Sequence, residues 1–392
     1  MRMSTALAIA GALVLGCSSE PETVMGTGGT GGTTNASGSW APMSTEGEPS
    51  PRVLATEVWT GKEMVVWGGT LGCAEISCAD GSRYDPKLDA WTSIASAGAP
   101  SGRDMHGAVW TGEEMIVWGG QDCGGQPLSV CGDGAAYDPA KDTWRKVASE
   151  GAPAARGKPS AVWTGKEMIV WGGQTAQNGA LLGDGAAYDP ALDAWRPIAA
   201  AGAPSPRRYH ATIWTGKEMI VWGGDGEPSM SSPLGEGARY DPAADTWAPM
   251  SSEGAPSPRW SHAAAWTGTL MIVWGGVGCS GGVGDGWLEC SGGAAYDPAK
   301  DRWTAVTPKG GPIAVSGHRA LWTGDRVLVY GGALAPPFGG LYDPASDRWT
   351  PTALLPMKPR VDSSIVWTGS EMLVWSGMDG EFPLAGGARF TP

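Results

Sequence analysis

The sequence predicts an all-β fold, a ring of seven four-stranded blades closed by its own N-terminal strand. Three observations carry this. A motif recurs seven times along the chain; the composition, with Gly 63 and Pro 31 and no long helical period, is that of a turn-dense β protein. A stray copy of the motif's last strand stands ahead of the first repeat, where a ring needs it to close.

The motif reads W-T-G-x-x-(M/V)-(I/V/L)-V-(W/Y)-(G/S)-G, then a variable loop, then in six copies Y-D-P-x-x-D-x-W. Its first tryptophans are Trp59, Trp110, Trp163, Trp214, Trp266, Trp322 and Trp367, at intervals of 51, 53, 51, 52, 56 and 45 residues. About 350 residues is long for one core, so a repeat architecture is expected. The first strand of each copy carries small residues (Gly107-Ala108-Val109, Ala263-Ala264-Ala265), because inner strands crowd the axis. Second strands such as Met168-Ile169-Val170-Trp171 are apolar without alternation, as in a sheet covered on both faces. Third strands hold Tyr84, Tyr137, Tyr188, Tyr240, Tyr296, Tyr342 and, in the seventh place, Phe390. Asp-Pro with a second Asp three residues on is turn chemistry, and it leads into the fourth-strand tryptophans Trp91, Trp144, Trp195, Trp247, Trp303 and Trp349. The seventh copy stops at Pro392 without a fourth strand. Ser39-Trp40-Ala41-Pro42-Met43-Ser44 matches Thr246-Trp247-Ala248-Pro249-Met250-Ser251 and supplies it, removing an unpaired edge.

Ahead of the ring, residues 1–17 read as an export signal: Arg2 is the positive n-region, and an apolar stretch runs from Ala6 to Leu15. That stretch is too short to span a membrane. Leu13-Val14-Leu15-Gly16-Cys17 resembles the lipobox of bacterial lipoproteins, which implies lipidation at Cys17. Ser18 after it implies the outer membrane. An ordinary cleaved signal with an incidental cysteine is the alternative. Residues 18–38 are mostly Gly, Ser and Thr, a flexible tether of roughly 25 Å r.m.s. span. The division is thus signal 1–17, tether 18–38 and propeller 39–392. The net charge of −13 and the absence of a basic run exclude nucleic acid as a partner, since phosphate binding needs clustered Lys and Arg.

Gly-Gly, Tyr and Trp at these fixed offsets resemble the kelch-repeat propellers of the galactose oxidase/kelch-like superfamily, over all of residues 39–392. The resemblance implies a fold more than an activity. That superfamily is mostly protein- or glycan-binding modules, but includes copper-radical oxidases similar to galactose oxidase and a periplasmic sialic-acid epimerase. It also implies that loops joining strands two and three, and those joining strand four to the next blade, share one face, here called the top. The N-terminal strand enters from the opposite face, so the top points away from the membrane.

Six cysteines follow Cys17, all in second-to-third-strand loops. Six allow 15 pairings, and locality selects Cys73–Cys78, Cys123–Cys131 and Cys279–Cys290, which export makes chemically reasonable. No loop supplies four zinc ligands, so neither a metal nor another cofactor is expected.

The four histidines share one slot, four residues before the W-T-G tryptophan: His106, His210, His262 and His318. An arginine stands seven before it in six blades (Arg52, Arg103, Arg156, Arg207, Arg259, Arg360), and Val315 breaks the series. Two readings stand side by side. Arg103, Arg207, Arg259, His210 and His262 hold an anion or sugar carboxylate at the channel mouth, because arginine forks match carboxylates; or the Arg-x-x-His opening orients loops and bonds backbone. Asp80, Asp133, Asp184 and Glu236 share a slot that makes them partners for those arginines.

Five aromatics fall outside the repeat: Tyr209, Trp260, Trp287, Phe338 and Phe382, all expected on the top side of blades four to seven. They either recognise a sugar face or protein, with Tyr209, Trp260 and Trp287 leading, or pack as local cores over the blade tops. An oxidase is disfavoured because no cysteine is left unpaired. A hydrolase is disfavoured because no nucleophile motif or carboxylate pair is present. The reading is a monomeric, lipid-anchored envelope scaffold that binds a glycan or protein through its top loops. The alternative is a sugar epimerase or mutarotase with a histidine or Glu236 as acid–base.

Overall fold

The computed structural model describes residues 36–176, 179–279, 289–313, 317–332 and 339–392. Among these residues, twenty-eight short strands form seven antiparallel sheets of four. Blade 1 is typical, with β2 (Thr56–Trp59), β3 (Met64–Trp67), β4 (Gly81–Asp85) and β5 (Ala90–Ser93) side by side in chain order. Innermost strands neighbour one another around an axis, β2 touching the first strands of blades 2 and 7.

Closure follows the repeat. β1 (Ser39–Pro42) pairs with β28 (Gly387–Thr391), Trp40 standing opposite Phe390, so the last blade takes its outer strand from the beginning of the ring.

The core is distributed. Seven apolar clusters each lie between adjacent blades, as where Ile116 and Trp118 of blade 2 meet Met168, Val170 and Tyr188 of blade 3. The second-strand aromatic of each blade meets the fourth-strand tryptophan of the next, and the circuit closes. Trp67–Trp144, Trp118–Trp195, Trp171–Trp247 and Trp222–Trp303 have ring centroids 5.5, 5.5, 5.7 and 5.2 Å apart. Trp274–Trp349, Tyr330–Trp40 and Trp375–Trp91 complete it at 4.4, 5.5 and 5.2 Å. Six of the seven fall in the range of about 4.5–7 Å where tilted aromatic pairs attract, and Trp274–Trp349 is closer still.

Polar latches run alongside. Trp144 Nε1 donates to Ala95 O at 2.8 Å, just past the outer strand of blade 1, and Trp40 Nε1 donates to Ala353 O at 2.9 Å. The second Asp of each Y-D-P-x-x-D works with that tryptophan: Asp142 Oδ1 accepts from the Tyr137 hydroxyl at 2.7 Å and from the Ala95 amide of the preceding blade at 2.8 Å. The spacing predicts turn chemistry there, and the structure adds a bond between blades. Asp142 sits at φ 52, left-handed backbone that Asp tolerates better than most residues.

The Gly-Gly pair has an equally specific cause. Gly68 adopts φ +72, and a Cβ on it would lie 2.7 Å from Cε1 of His106 in the next blade. The glycine is where a neighbour's imidazole packs.

Candidate functional site

Three blades open with Arg-x-x-His, at Arg103–His106, Arg207–His210 and Arg259–His262, and the two ends of this segment belong to the frame. Arg103 Nη1 donates to Gly119 O at 3.1 Å and Asp133 O at 3.0 Å; Arg207 and Arg259 make the same bonds to Gly223 and Glu236, and to Gly275 and Gly292. Asp80, Asp133, Asp184 and Glu236 pair with Arg52, Arg103, Arg156 and Arg207. These guanidiniums are buried and tie the end of strand two to the start of strand three. That corrects the ligand-holding reading of Arg103, Arg207 and Arg259, because their donors are spent on backbone carbonyls inside the blade.

His210 and His262 are corrected on the same ground. Each stands edge-on to the second-strand tryptophan of the preceding blade, with centroids at 5.2 Å from Trp171 and 5.1 Å from Trp222. His106 Nε2 bonds Thr56 Oγ1 at 2.6 Å and His210 Nε2 bonds Ser160 Oγ at 3.0 Å, both across a blade boundary. His262 faces Ala211, which has no hydroxyl, and neither ring nitrogen has a hydrogen-bond partner. Burial, helped by the neighbouring arginine, pulls all three imidazoles down to about 3, so they are neutral and poor acid–bases at pH 7. Glu236, held by Arg207 and Ser205, is committed in the same way.

The sign of the pH effect follows. An unfolded histidine binds a proton near pH 6.5 and the folded one only near 3, so stability falls as pH drops through that window. His262→Leu is expected to remove one such proton. Between pH 7 and pH 5 the variant should lose about 2 kcal/mol less stability than wild type, read from urea midpoints.

The two residues between Arg and His build what is not repeated. The first bridges to the residue after the Gly-Gly pair: Asp104 to Gln121, Gly157 to Gln174, Arg208 to Asp225 and Trp260 to Val277. The second is left-handed in every blade: Leu54, Met105, Lys158, Tyr209, Ser261, Gly317 and Asp362. These form a collar in which the Met105 amide donates to Leu54 O, Lys158 to Met105 O and Ser261 to Tyr209 O. Polar side chains concentrate on it. Lys158 Nζ lies 4.6 Å from the centre of the Tyr209 ring, and Arg208 is buried against Gln174, Asp225 and Pro228 O. Burial, reinforced by Asp122, lifts Asp104 to about 7; burial, with Arg208 adding to it, lowers Lys158 to about 7. Below the collar, a cavity of ≈ 280 Å³ between the inner strands is lined in part by Met105, Glu57 and Arg319, with Arg319 Nη2 3.7 Å from Glu57 Oε1.

Trp260 is only 8% exposed and packs 5.5 Å from Tyr209, so this pair forms a local core at the collar, and the reading of Trp260 as an exposed binding aromatic is corrected. Trp287 and Phe338 lie outside the described residues, as does Cys17. Phe382 is 60% exposed on the blade 7 loop between strands two and three.

All three disulfides pair as locality selected, with Cα atoms 5.4, 5.7 and 5.3 Å apart for Cys73–Cys78, Cys123–Cys131 and Cys279–Cys290. The first two close loops that carry exposed aliphatic side chains, Leu71 and Ile76 in blade 1 and Leu128 in blade 2. With Phe382 they place four exposed apolar groups on the same loop of three consecutive blades, 7, 1 and 2. The loops are linked through the segments that open the blades: Arg103 N donates to Cys78 O, Arg52 N donates to Ser376 Oγ at 2.8 Å, and Val53 packs with Val361 and Met378. A Cβ on Gly125 of the blade 2 loop would lie 3.8 Å from Glu75 Oε2 of the blade 1 loop. Among the described residues, the other exposed large apolar groups sit elsewhere: Leu88 and Leu192 in turns between strands three and four, Ile313 and Leu354 between blades.

Seven blades with these latches define a kelch-type propeller. Residues 129–332, just over half of the chain, match the KLHDC2/KLHL20/DRC7 kelch-repeats domain, and the chain belongs to that kelch-repeat family. It is similar to Adagio-like protein 3 of Oryza sativa subsp. japonica, 28% identical over 318 residues, which covers 76% of this chain and 49% of that protein. It is also similar to Kelch domain-containing protein 3 of Rattus norvegicus, 27% identical over 184 residues, 45% of this chain and 48% of the relative. Kelch-like protein 34 of Homo sapiens is 30% identical over 156 residues, 37% and 22%. The chain thus spans about half, or less, of the length of these relatives.

Proposed function

We propose that this propeller is a protein-binding scaffold whose partner docks on the second-to-third-strand loops of blades 7, 1 and 2. The observation that carries the reading is the run of Phe382, Leu71, Ile76 and Leu128 on adjoining loops, two of them closed by disulfides. Contiguous exposed apolar groups are costly in water and mark interaction surfaces. Short cross-linked loops lose little further entropy on docking. Three of the four side chains are aliphatic and lack the flat face on which sugars stack, so a protein fits better than a glycan. In this reading Cys17 carries the lipid of an exported protein, residues 18–38 are the tether, and residues 39–392 are displayed as a monomer at the envelope.

The test is an affinity measurement. A partner is isolated from envelope extract with the full chain, purified, and titrated against wild type and the triple variant Leu71→Asp, Leu128→Asp, Phe382→Asp. The variant is expected to bind at least tenfold more weakly with an unchanged unfolding midpoint. Equal affinity refutes the site. Replacing Cys17 by Ser tests the anchor separately, by release of the protein from membranes.

A further inference from the structure

The loops at the docking face are one-sided in charge. Residues 70–80, 121–133 and 378–386 contain six carboxylates, Glu75, Asp80, Asp122, Asp133, Asp379 and Glu381, and no lysine or arginine. None of the other four second-to-third-strand loops contains a basic residue either, although the chain has 27. The segments that lead into blades 7, 1 and 2 add Arg360, Arg52 and Arg103, which are buried, and Lys358, which is paired with Asp379 at 3.4 Å. At the opposite end of blades 1 and 2, the turns carry exposed Lys62, Lys87 and Lys141. Basic side chains are therefore kept off this face rather than scarce in the protein.

The carboxylates interleave with the apolar tips. Glu75 precedes Ile76 and Glu381 precedes Phe382, all four exposed, and Asp122 Oδ1 accepts from the Leu128 amide at 2.7 Å. Asp80 and Asp133 are held from beneath by Arg52 and Arg103, yet their side chains remain 61% exposed. The basic groups within reach are taken by Asp80, Asp133 and Asp379, which leaves Glu75, Asp122 and Glu381 without a salt bridge among the described residues.

Such a face attracts positive charge, and the spacing of its acids says in what form. A metal ion such as calcium gathers about six to eight oxygens on one point. Among the described residues, the one grouping of metal-ligating side chains is Cys73, Cys78 and Asp80, whose two sulfurs are joined to each other. The six carboxylates are instead spread over three blades with apolar side chains between them, which suits charges distributed along a chain. An acidic partner is repelled. We propose that the partner engages this face through a segment that alternates lysine or arginine with aliphatic or aromatic side chains, a reading that rests on the docking face proposed above and names its occupant. The apolar side chains of that segment meet Leu71, Ile76, Leu128 and Phe382. Its cations stand over Glu75, Asp122 and Glu381, where charge sets association rate and partner choice.

The probes are synthetic peptides of one length built from the units Lys-Leu-Gly, Ser-Leu-Gly, Glu-Leu-Gly and Lys-Ser-Gly, dye-labelled and titrated with the full chain by fluorescence anisotropy. The Lys-Leu-Gly peptide is expected to bind at least tenfold tighter than the other three. Its affinity should fall about tenfold when salt rises from about 0.05 to about 0.5 M. Glu75→Gln, Asp122→Asn and Glu381→Gln together should weaken it at least tenfold with the unfolding midpoint unchanged. The same charge removed elsewhere, by Glu113→Gln, Glu227→Gln and Glu253→Gln, should change it less than twofold. Binding of none of the four peptides, or equal binding of Lys-Leu-Gly and Ser-Leu-Gly, overturns the proposal. So does an equal loss in the two triple variants, which would trace binding to the overall charge of −13. The uncharged variant Leu71→Ser, Leu128→Ser, Phe382→Ser separates the two readings. If it loses affinity for the purified partner while the Glu75, Asp122 and Glu381 substitutions keep it, the docking face stands and the basic segment is refuted. If it keeps full affinity, the docking face itself is refuted.

Discussion

Arg156→Met is expected to cost on the order of 3–5 kcal/mol and to lower the urea midpoint far more than any surface change. The guanidinium is fully buried. Its Nη1 donates to Gly172 O at 3.2 Å and Asp184 O at 2.9 Å, Nε to Ala154 O at 2.9 Å and Nη2 to Asp184 Oδ2 at 3.1 Å. The Asp184 carboxylate is mostly exposed and returns to water when the arginine goes, so the ion pair is a minor loss. The carbonyls have no such recourse, and each unpaired one costs about 1–3 kcal/mol. Arg156→Lys should fail to rescue, because an ammonium cannot reach three acceptors in a planar fork. Full rescue by lysine in a denaturation series would show that charge, not the fork, matters here.

Trp171→Ala should be comparably severe, about 3–5 kcal/mol. The side chain is fully buried between blades 3 and 4, beside Trp247 and edge-on to His210. Removing it leaves a void bordered by two blades that the ring holds apart, so collapse is restricted. Trp171→Phe retains much of the contact and should lose less. Leu192→Ala, in an exposed turn, should change stability by under about 0.5 kcal/mol. Comparable losses in Trp171→Ala and Leu192→Ala would contradict a core distributed between blades.

The contrast between these residues explains what the sequence could reveal. Blade number, strand order, the completion of blade 7 by Trp40 and the three cysteine pairs were legible because each is a matter of local spacing repeated copy by copy. Contacts between blades were not. Asp142 reads as a turn residue beside Pro139, and nothing near it in the chain shows that its carboxylate also holds the Ala95 amide 47 residues away. The arginines read as mouth residues because they open inner strands, but only the backbone path shows them turned inward onto Gly68, Gly119 and their equivalents. Trp260 stood out as an aromatic outside the repeat; its burial depends on Tyr209 in the neighbouring blade. The apolar tips Leu71, Ile76 and Leu128 give no signal one by one, because single aliphatic residues in loops are ordinary, and their significance lies in falling on adjoining blades. Glu57 and Arg319 carried a readable signal, a charge in a column of small residues, which comparing the seven copies position by position would expose.

Hydrogen exchange of the full chain with and without its purified partner tests the binding face most directly. Protection confined to the loops at residues 70–80, 121–133 and 378–386 is the predicted result, with the turns around Leu88 and Leu192 unchanged. Protection centred on those turns, or on the outer strands, would place the partner on another surface and contradict the proposed site.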